Sequence, residues 1–312
     1  MKMAGETGKR GFLLLGFPRS GTTLLSRLLG GHPDLSCPPE TYLFSGAARF
    51  LHEQDQVEGP PIGVLSGLAF AGLDAEEVTA PLRELVFGLH ARIAGEKPVW
   101  VEKTAIDVFH LEALEELLVG HVRFIVLERN PLDVIASNIG LAQVMGAQLH
   151  DLFELTRGTN GPHVGIAKAW AERATALRAF MDRNSQDVCY LKYEELTANP
   201  AAELDRLFEF IEVEQCAEKA IEAAFSNDAV VGLGDFNFDG TTEIRPSKPK
   251  SWKGKIPPAA LNRVVSIVAE QMLAAGYEVP RVPSIPSREN AVRQLQMAAA
   301  LKRDRSRTDK AD

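Results

Sequence analysis

The sequence predicts an α/β fold in which a mainly parallel central sheet is flanked by helices and carries a phosphate loop of the P-loop type. Three observations predict it. Short apolar segments alternate with longer segments of helical periodicity, which is typical of a parallel sheet with crossover helices. A loop bounded by two glycines follows the first apolar segment. Polar residues suited to anion binding stand directly after apolar segments, where the carboxyl ends of parallel strands would meet.

Four apolar segments are predicted to be buried strands of this sheet. Each is rich in Val, Ile, Leu or aromatic residues and is bounded by Gly, Pro or charged residues, as buried strands usually are. No internal repeat of the solenoid type accompanies them. The four predicted strands are residues 12–15, 99–101, 123–127 and 188–191.

Helical periodicity fills much of the chain between these strands. In residues 23–29, four leucines recur at helical spacing, and the pattern ends at Gly30 and Gly31, a common way for a helix to stop. Apolar residues recur in the same manner in three later segments. These further predicted helices cover residues 110–118, residues 165–182 and a segment that starts at Asn199 and Pro200.

The remaining segments define the predicted domain organisation. Residues 1–280 are taken as a single domain, in which residues 44–95 form a helical cap over the site. Residues 232–258 are rich in Gly, Pro, Asn, Asp and Ser and are predicted to form a long functional loop. Residues 281–312 are expected to be an extension, with a helix at 289–301 and a frayed, charged tail.

Composition excludes several classes of protein. The chain has 312 residues, of which 45% are hydrophobic and 24% charged, and a net charge of −8. This composition is that of a globular protein, and the negative charge argues against a nucleic acid as the main partner. No segment of about 18 apolar residues suggests a membrane span. The spacing of Cys37, Cys189 and Cys216 fits neither a disulfide framework nor a metal site, so we expect a cytoplasmic protein.

The loop at residues 16–23, Gly-Phe-Pro-Arg-Ser-Gly-Thr-Thr, follows the first strand and opens the first helix. Its two glycines permit a tight turn, and the helix N-terminus adds partial positive charge. The spacing fits the nucleotide-triphosphatase motif G-x-x-x-x-G-K-[ST] except that Thr22 replaces the lysine. That lysine normally contacts the terminal phosphates next to a magnesium ligand. The residues predicted to bind phosphate are Arg19, Ser20, Gly21, Thr22 and Thr23.

The segment Pro-Arg-Ser-Gly-Thr-Thr-Leu at 18–24 closely resembles the phosphosulfate-binding loop of the sulfotransferase superfamily. His-Pro-Asp at 32–34 and Pro-Pro-Glu-Thr at 38–41 are similar to the segments that follow this loop in tyrosylprotein sulfotransferases and their bacterial relatives. The resemblance recurs in short segments from about residue 11 to about residue 260. It implies transfer of a sulfuryl group from 3'-phosphoadenosine-5'-phosphosulfate (PAPS) to an acceptor hydroxyl, with adenosine 3',5'-bisphosphate (PAP) as the product.

Three further segments extend the resemblance to the rest of the donor. Arg129 follows a strand and Ser137 lies eight residues later, which resembles the family's site for the 3'-phosphate, where a guanidinium fork and a hydroxyl converge. Tyr193, in Tyr-Glu-Glu-Leu, is similar to the tyrosine that touches adenine. Residues 250–257 resemble the late loop that closes over the cofactor, and which of their lysines reaches it stays open. The implied contacts from this loop are Trp252, Lys253 and Gly254.

The resemblance also implies the residues that act on the reacting groups. Lys103 follows a strand and matches the family's lysine that contacts the transferring group. Together with Arg19 it would stabilise the charge that develops on the leaving phosphate oxygen. Glu40 is the expected general base. His32 and His110 are the alternatives, although a histidine before proline more often packs or caps a helix.

No metal ion is expected to be required. The 5' end of PAPS carries less charge than a triphosphate, so Arg19, Lys103, the helix dipole and backbone amides would suffice to neutralise it. Glu102 and Glu128 lie at strand ends but adjoin cationic residues, and we expect them to form ion pairs with these neighbours.

Two other functions remain open at this point. A small-molecule kinase or a non-catalytic nucleotide-binding protein would use the same loop topology. The missing lysine at Thr22 and the pair Arg129 and Ser137 favour the sulfotransferase. The sequence does not identify the acceptor, which we expect to be a hydroxyl-bearing small molecule, sugar or peptide, and it leaves the oligomeric state open.

Overall fold

A five-stranded parallel sheet forms the centre of the computed structural model of the protein. The strands occur in the order β2-β3-β1-β4-β5, and each neighbouring pair is parallel. The predicted α/β fold is therefore confirmed. The strands are β1 (Arg10–Leu15), β2 (Leu35–Ser36), β3 (Val99–Glu102), β4 (Arg123–Glu128) and β5 (Val188–Lys192). The structure describes residues 8–145, 156, 158–159, 161–226, 243–247 and 250–282.

Four of these strands lie where the sequence predicts them. The fifth, β2, is an edge strand of two residues that pairs with β3 through Leu35 and Ser36. Two residues cannot display a periodicity, so the sequence pattern does not reveal this strand.

Helices alternate with the strands along the described chain. Those predicted near residues 23–29, 110–118, 165–182 and after Asn199 correspond to α1, α5, α7 and α9. Several helices begin with proline, whose missing N–H is not needed at a first helical position. The helices are α1 (Thr22–Gly30), α2 (Leu43–Leu51), α3 (Val64–Phe70), α4 (Ala75–Ala94), a 3-10 helix (Ala105–His110), α5 (Leu111–Leu118), α6 (Pro131–Met145), α7 (Pro162–Arg183), α8 (Tyr193–Ala198), α9 (Pro200–Ile211), α10 (Ala217–Ala224) and α11 (Pro258–Ala274).

Both faces of the sheet are covered, as the alternation of side chains in β1 shows. Phe12 and Leu14 belong to a core cluster with α1, α9 and α10. Leu13 and Leu15 belong to a second cluster on the opposite face, with α2, α4, α5 and α7. Successive strand residues point to opposite faces of a sheet, so a continuous apolar strand requires helices on both sides.

The segment 44–95, predicted to be a helical cap, forms α2, α3 and α4. Phe44 of α2 and Phe87 of α4 are buried in the same cluster as Trp100 of β3. These two helices therefore belong to the layer that covers the sheet, while α3 buries none of its residues. A cap over the site stays a prediction, as does the domain boundary at residue 280.

A third core cluster lies among α6, α7 and α11 and extends to the phosphate loop. It contains Phe17 of that loop together with Trp252 and Ile256, so the segment before α11 packs on the same cluster as the loop. Most of the predicted loop at 232–258 and the predicted helix at 289–301 lie outside the described residues. In the part of the chain that the structure describes, no helix has the length and apolar character needed to cross a membrane.

Candidate active site

The start of the phosphate loop and three predicted site residues lie at one edge of the sheet. Gly16 follows β1, Lys103 follows β3, Arg129 follows β4 and Tyr193 follows β5. Because these strands are parallel, their carboxyl ends meet at the same edge, which is where ligands bind in open α/β sheets.

The two glycines of the phosphate loop are required by their surroundings. A Cβ atom at Gly16 would lie 2.7 Å from Thr22 Cγ2 and 2.9 Å from the carbonyl oxygen of Leu127. Gly21 has a φ of 98°, and a Cβ atom there would lie 2.2 Å from the ring of Tyr193. Both positions therefore exclude side chains, the second for conformational as well as steric reasons.

The rest of the loop is held by the end of β4 and by α6. Arg19 has a left-handed φ of 74°, which is uncommon for a residue other than glycine. Its carbonyl oxygen accepts a hydrogen bond from Arg129 Nη1 at 3.1 Å, and its Nε donates to Ser137 Oγ at 3.3 Å. Asn138 Nδ2 donates to the carbonyl oxygen of Pro18 at 3.0 Å. These contacts offset the strain that Arg19 carries.

Arg129 occupies the middle of this arrangement. Its guanidinium carbon lies 4.4 Å from the ring centroid of Tyr193, whose ring lies against Gly21. Arg129 Nε and Ser20 Oγ are buried and have no hydrogen-bond partner among the described residues. Buried polar atoms are normally satisfied. Two unsatisfied donors beside one phosphate loop therefore fit an anionic ligand.

The carboxylate of Glu40 forms a second centre. It accepts hydrogen bonds from Lys103 Nζ at 3.0 Å, from the backbone N–H of Ala105 at 3.2 Å and from the hydroxyl of Tyr42 at 3.1 Å. Lys103 Nζ also lies 3.4 Å from Thr23 Oγ1 in the first turn of α1. The Lys103 side chain is 6% exposed and that of Glu40 is 24% exposed. A partly accessible carboxylate thus adjoins a buried ammonium group at the end of the phosphate loop.

Glu102, which the sequence analysis expected to pair with the adjoining lysine, makes its hydrogen bonds elsewhere. The backbone N–H and the hydroxyl of Thr41 donate to it at 3.3 Å and 2.9 Å, and the hydroxyl of Thr104 donates at 2.6 Å. Successive residues of an extended chain point in opposite directions, so Lys103 binds Glu40 instead. Burial raises the pKa of Glu102, and the threonine hydrogen bonds oppose that rise.

Glu128, at the end of β4, is likewise not paired with its sequence neighbour. It lies 3.5 Å from Arg178 Nη2 and accepts a hydrogen bond from the hydroxyl of Tyr190. Arg129 turns instead toward the phosphate loop. Burial raises the pKa of Glu128 despite these partners.

Asp107 is a further buried carboxyl group near the second centre. The hydroxyl of Ser45 donates to its Oδ1. Burial, together with the negative charges of Glu102 and Glu40, raises the pKa of Asp107 to about 8. The carboxyl group of Asp107 is therefore mainly protonated at neutral pH.

The alternative bases differ in their surroundings. His32 is fully buried, its Nε2 lies 2.9 Å from the carbonyl oxygen of Glu214, and its Nδ1 accepts a hydrogen bond from the N–H of Asp34. Both ring nitrogens are thus engaged by backbone groups, which confirms the packing role expected for a histidine before proline. His110 ends the 3-10 helix and precedes α5, and its role as an alternative base stays a prediction.

The segment before α11 is tied to α6. The N–H of Trp252 and the hydroxyl of Ser251 donate to Asp133 Oδ1 at 2.8 Å and 2.7 Å. Asp133 lies in the first turn of α6, about one turn before Ser137. This contact places Ser251 and Trp252 beside α6, the helix that carries Ser137, which is predicted to bind the 3'-phosphate. The sequence pattern does not indicate this contact.

The predicted cofactor contacts of this segment have different environments. The ring of Trp252 is buried in the apolar cluster that includes Phe17, whereas Lys253 and Gly254 are exposed. Lys250 forms an ion pair of 3.0 Å with Glu278. Cofactor contacts by Trp252, Lys253 and Gly254 stay predictions.

A sequence model described as the sulfotransferase family matches residues 12–217 of the chain. The matched segment includes the phosphate loop, Glu40, Lys103, Arg129 and Ser137. The chain belongs to the sulfotransferase family. The resemblance on which the sequence analysis relied is thereby confirmed for the family.

A curated relative of this chain is nodulation protein NoeE of Sinorhizobium fredii (strain NBRC 101917 / NGR234). The two are 30% identical over 207 residues, which are 62% of this chain and 48% of NoeE. The chain therefore matches about half the length of that relative.

Two solved structures share the fold of this chain. The sulfotransferase domain from the curacin biosynthetic pathway has a TM-score of 0.57 at 20% identity, covering 87% of this chain and 99% of that domain. The sulfotransferase domain of the olefin synthase of Synechococcus PCC 7002 has a TM-score of 0.60 at 22% identity, covering 88% and 97%. At such identities the similarity is one of fold, and it confirms the P-loop-type architecture.

Proposed function

We propose that this sulfotransferase moves a sulfuryl group from PAPS to the hydroxyl of an acceptor and releases PAP. The observation that carries the proposal is the placement of two different sites on one loop. The loop at residues 16–23 adjoins both sites. One contains the unsatisfied donors Arg129 Nε and Ser20 Oγ, and the other contains the pair formed by Lys103 and Glu40. One site fits an anionic donor, and the other offers a cation and a base beside it.

The first site would hold the nucleotide. Arg129 and Ser137 would bind the 3'-phosphate, since a guanidinium and a hydroxyl are strong and directed donors to phosphate oxygens. Tyr193 would contact the adenine, and residues 19–23 would bind the 5'-phosphate through backbone amides and hydroxyls at the N-terminus of α1. Residues 250–254, held beside α6 by Asp133, would close over the nucleotide.

The second site would act on the reacting groups. PAPS supplies the sulfuryl group and a phosphate leaving group when it is bound. Lys103 and Arg19 would stabilise negative charge on the leaving oxygen more strongly as that charge grows. Glu40 would take the proton of the acceptor hydroxyl, a role worth about 10²–10⁴-fold in rate for a positioned base. Its three hydrogen bonds fix the carboxylate in one orientation.

The acceptor would bind on the exposed side of Glu40. Tyr42 is 48% exposed, and its hydroxyl donates to that carboxylate, so an aromatic surface adjoins the proposed base. We infer a hydroxyl-bearing small molecule, sugar or peptide as the acceptor, because aromatic rings accommodate all three.

A direct test combines donor choice with metal removal. The protein is incubated with phenols, monosaccharides and tyrosine peptides, with PAPS as donor in excess EDTA, and products are analysed by mass spectrometry. We expect a sulfated product and PAP. In a parallel thermal-shift assay, PAP should raise the unfolding temperature more than ATP with magnesium, because a ligand of the native state stabilises it.

The opposite results would favour the kinase alternative. A strict magnesium requirement, or phosphorylated products from ATP in parallel reactions, would contradict sulfuryl transfer. Among the described residues, no group of three His, Cys, Asp or Glu side chains could hold a metal ion. The reaction in excess EDTA tests directly whether sulfuryl transfer needs a metal ion.

A further inference from the structure

Glu102 is a carboxylate buried to 0% exposure directly before the proposed catalytic lysine. Removing a carboxylate from water is costly unless its hydrogen bonds are replaced. Here the replacements come from Thr41 and Thr104, through three hydrogen bonds of 2.6–3.3 Å. Both threonines are sequence neighbours of a proposed catalytic residue, since Thr41 follows Glu40 and Thr104 follows Lys103.

The two threonines connect the strand end to the segment that carries the base. The hydroxyl of Thr104 accepts a hydrogen bond from the N–H of Tyr42 at 3.2 Å. The hydroxyl of Thr41 accepts one from the N–H of Leu43 at 3.2 Å, where α2 begins. Each hydroxyl therefore donates to Glu102 and accepts from residues 42–43. Glu102 therefore accepts hydrogen bonds from both of the hydroxyl groups that bind the backbone of residues 42–43.

The segment held in this way is strained. Tyr42 has a left-handed φ of 59°, which is unfavourable for a residue other than glycine and persists only where surrounding contacts enforce it. The conformation brings the hydroxyl of Tyr42 to 3.1 Å from Glu40 Oε2. The contacts that enforce it include those organised by Glu102.

The opposite side of Glu102 offers it no strong partner. His90 Nε2 is 3.8 Å from Glu102 Oε2, and the His90 ring stacks on Trp100 with a centroid distance of 4.5 Å. Burial lowers the pKa of His90 to about 4, so this ring is neutral at pH 7. Because His90 lies beyond hydrogen-bonding distance, the hydrogen bonds to the Glu102 carboxylate come from Thr41 and Thr104.

We propose that Glu102 is a positioning residue, which holds Glu40 against Lys103 by way of Thr41 and Thr104. It need not touch the donor or the acceptor. The inference rests on the proposed function, because it takes Glu40 to be the base.

The test uses two substitutions of Thr41 that differ in the hydroxyl. Thr41→Val keeps the shape but removes the donor to Glu102, whereas Thr41→Ser keeps it. We expect Thr41→Val to lower kcat about 10–100-fold with the best acceptor of the panel, since small misplacements of catalytic groups cost up to about 10²-fold. Its Kd for PAP should stay within about twofold of the wild-type value. Thr41→Ser should keep kcat within about threefold of wild type.

Thr79→Val is the matched control. Thr79 is also buried, and its hydroxyl donates to the carboxylate of Glu76 at 3.1 Å on α4. The same loss of a hydroxyl there should leave kcat unchanged, which separates positioning from a general loss of stability. Glu102→Gln should lower kcat as Thr41→Val does, again with PAP affinity retained.

Crystal structures of the Thr41 variants with PAP add a measurement that needs no acceptor. In Thr41→Val the carboxylate of Glu40 should lie more than about 4 Å from Lys103 Nζ, beyond hydrogen-bonding distance, and in Thr41→Ser it should return to contact. Unchanged Glu40 positions in Thr41→Val and Glu102→Gln, with normal kcat, would overturn the proposal. If Glu102→Gln fails to fold, the Thr41 pair decides.

Glu40→Gln distinguishes this failure from failure of the proposed function. Normal turnover of Glu40→Gln would remove Glu40 from the mechanism, whatever the Thr41 variants do. An inactive Glu40→Gln beside fully active Thr41→Val and Glu102→Gln would overturn the positioning role alone. If no acceptor is sulfated at all, the proposed function fails, while the crystal structures still report whether Glu102 positions Glu40.

Discussion

The two halves of the candidate site are built in opposite ways. The nucleotide half uses the cations Arg19 and Arg129, and its main residues directly follow strands or lie in the loop between a strand and a helix. The base half groups the carboxyl groups of Glu40, Glu102 and Asp107, of which Glu40 binds Lys103. It is assembled by hydrogen bonds between the end of β3 and an irregular segment before α2.

This difference has a functional consequence. The residues of the nucleotide half follow strands directly or lie in the loop that Arg129 and Asn138 hold. They would contact the donor, so substitutions there should mainly affect donor affinity. The base half is positioned by side-chain hydrogen bonds, so substitutions there should mainly affect turnover. The predictions below test this separation.

Glu40→Gln should have the largest effect. Glutamine keeps the size of the side chain but cannot accept the acceptor's proton, so kcat should fall by about 10²-fold or more. PAP affinity should remain near the wild-type value, as measured by calorimetry. Near-normal turnover would place the base elsewhere, with His110 as the next residue to examine.

Gly21→Ala should weaken donor binding in the nucleotide half. The added Cβ would lie 2.2 Å from the Tyr193 ring at a φ of 98°, and strain of this kind costs about 1–3 kcal/mol. PAP affinity should therefore fall about 5–150-fold. Combining it with Tyr193→Ala should remove the steric part, so the double variant should lose less than the sum of the single losses. Strict additivity in calorimetry would show that the contact is unimportant.

Arg129→Ala and Ser137→Ala should each weaken PAP binding by about 1–3 kcal/mol, because each leaves a phosphate oxygen without a donor. Calorimetry should show a smaller loss for adenosine 5'-phosphosulfate, which lacks the 3'-phosphate. Equal losses for both ligands would argue that these residues do not bind that phosphate. In either variant, kcat at saturating donor should change less than in Glu40→Gln.

The same contrast explains how much of the molecule could be predicted. A strand end followed by a glycine loop, by Lys103 or by Arg129 can be recognised in the local sequence. Because the strands pair in parallel, these strand ends meet at one edge of the sheet. The strand β2 could not be predicted because two residues carry no periodicity. The role of α4 as a helix on the sheet was also missed, since its pattern does not show what it packs against.

The contacts that assemble the base half cannot be predicted from local sequence patterns. Glu40 and Lys103 were identified by resemblance, but the connection through Thr41 and Thr104 joins residues about 60 positions apart. The one indication was Glu102 itself, a charged residue that ends an otherwise apolar strand. Because adjacent charges suggest pairing, the sequence pointed to Lys103, whereas the geometry of an extended chain separates the two.

The buried carboxyl group of Asp107 gives the base half a dependence on pH that the nucleotide half should lack. Its pKa rises from an ordinary value of 3.8 to about 8 in the folded protein. Between these values the folded state holds a proton that the unfolded state has lost. The stabilisation from this group is therefore complete below about pH 4 and is lost as the pH rises toward 8.

Asp107→Asn should remove this dependence, since an amide keeps the shape and an acceptor for Ser45 but does not titrate. Wild-type stability should fall relative to that of Asp107→Asn by at most about 1.4 kcal/mol for each pH unit of the window. Urea unfolding of both proteins between about pH 5 and about pH 7 measures this difference, and their common groups cancel in the comparison. Parallel stability curves would show that Asp107 is already ionised in the folded protein.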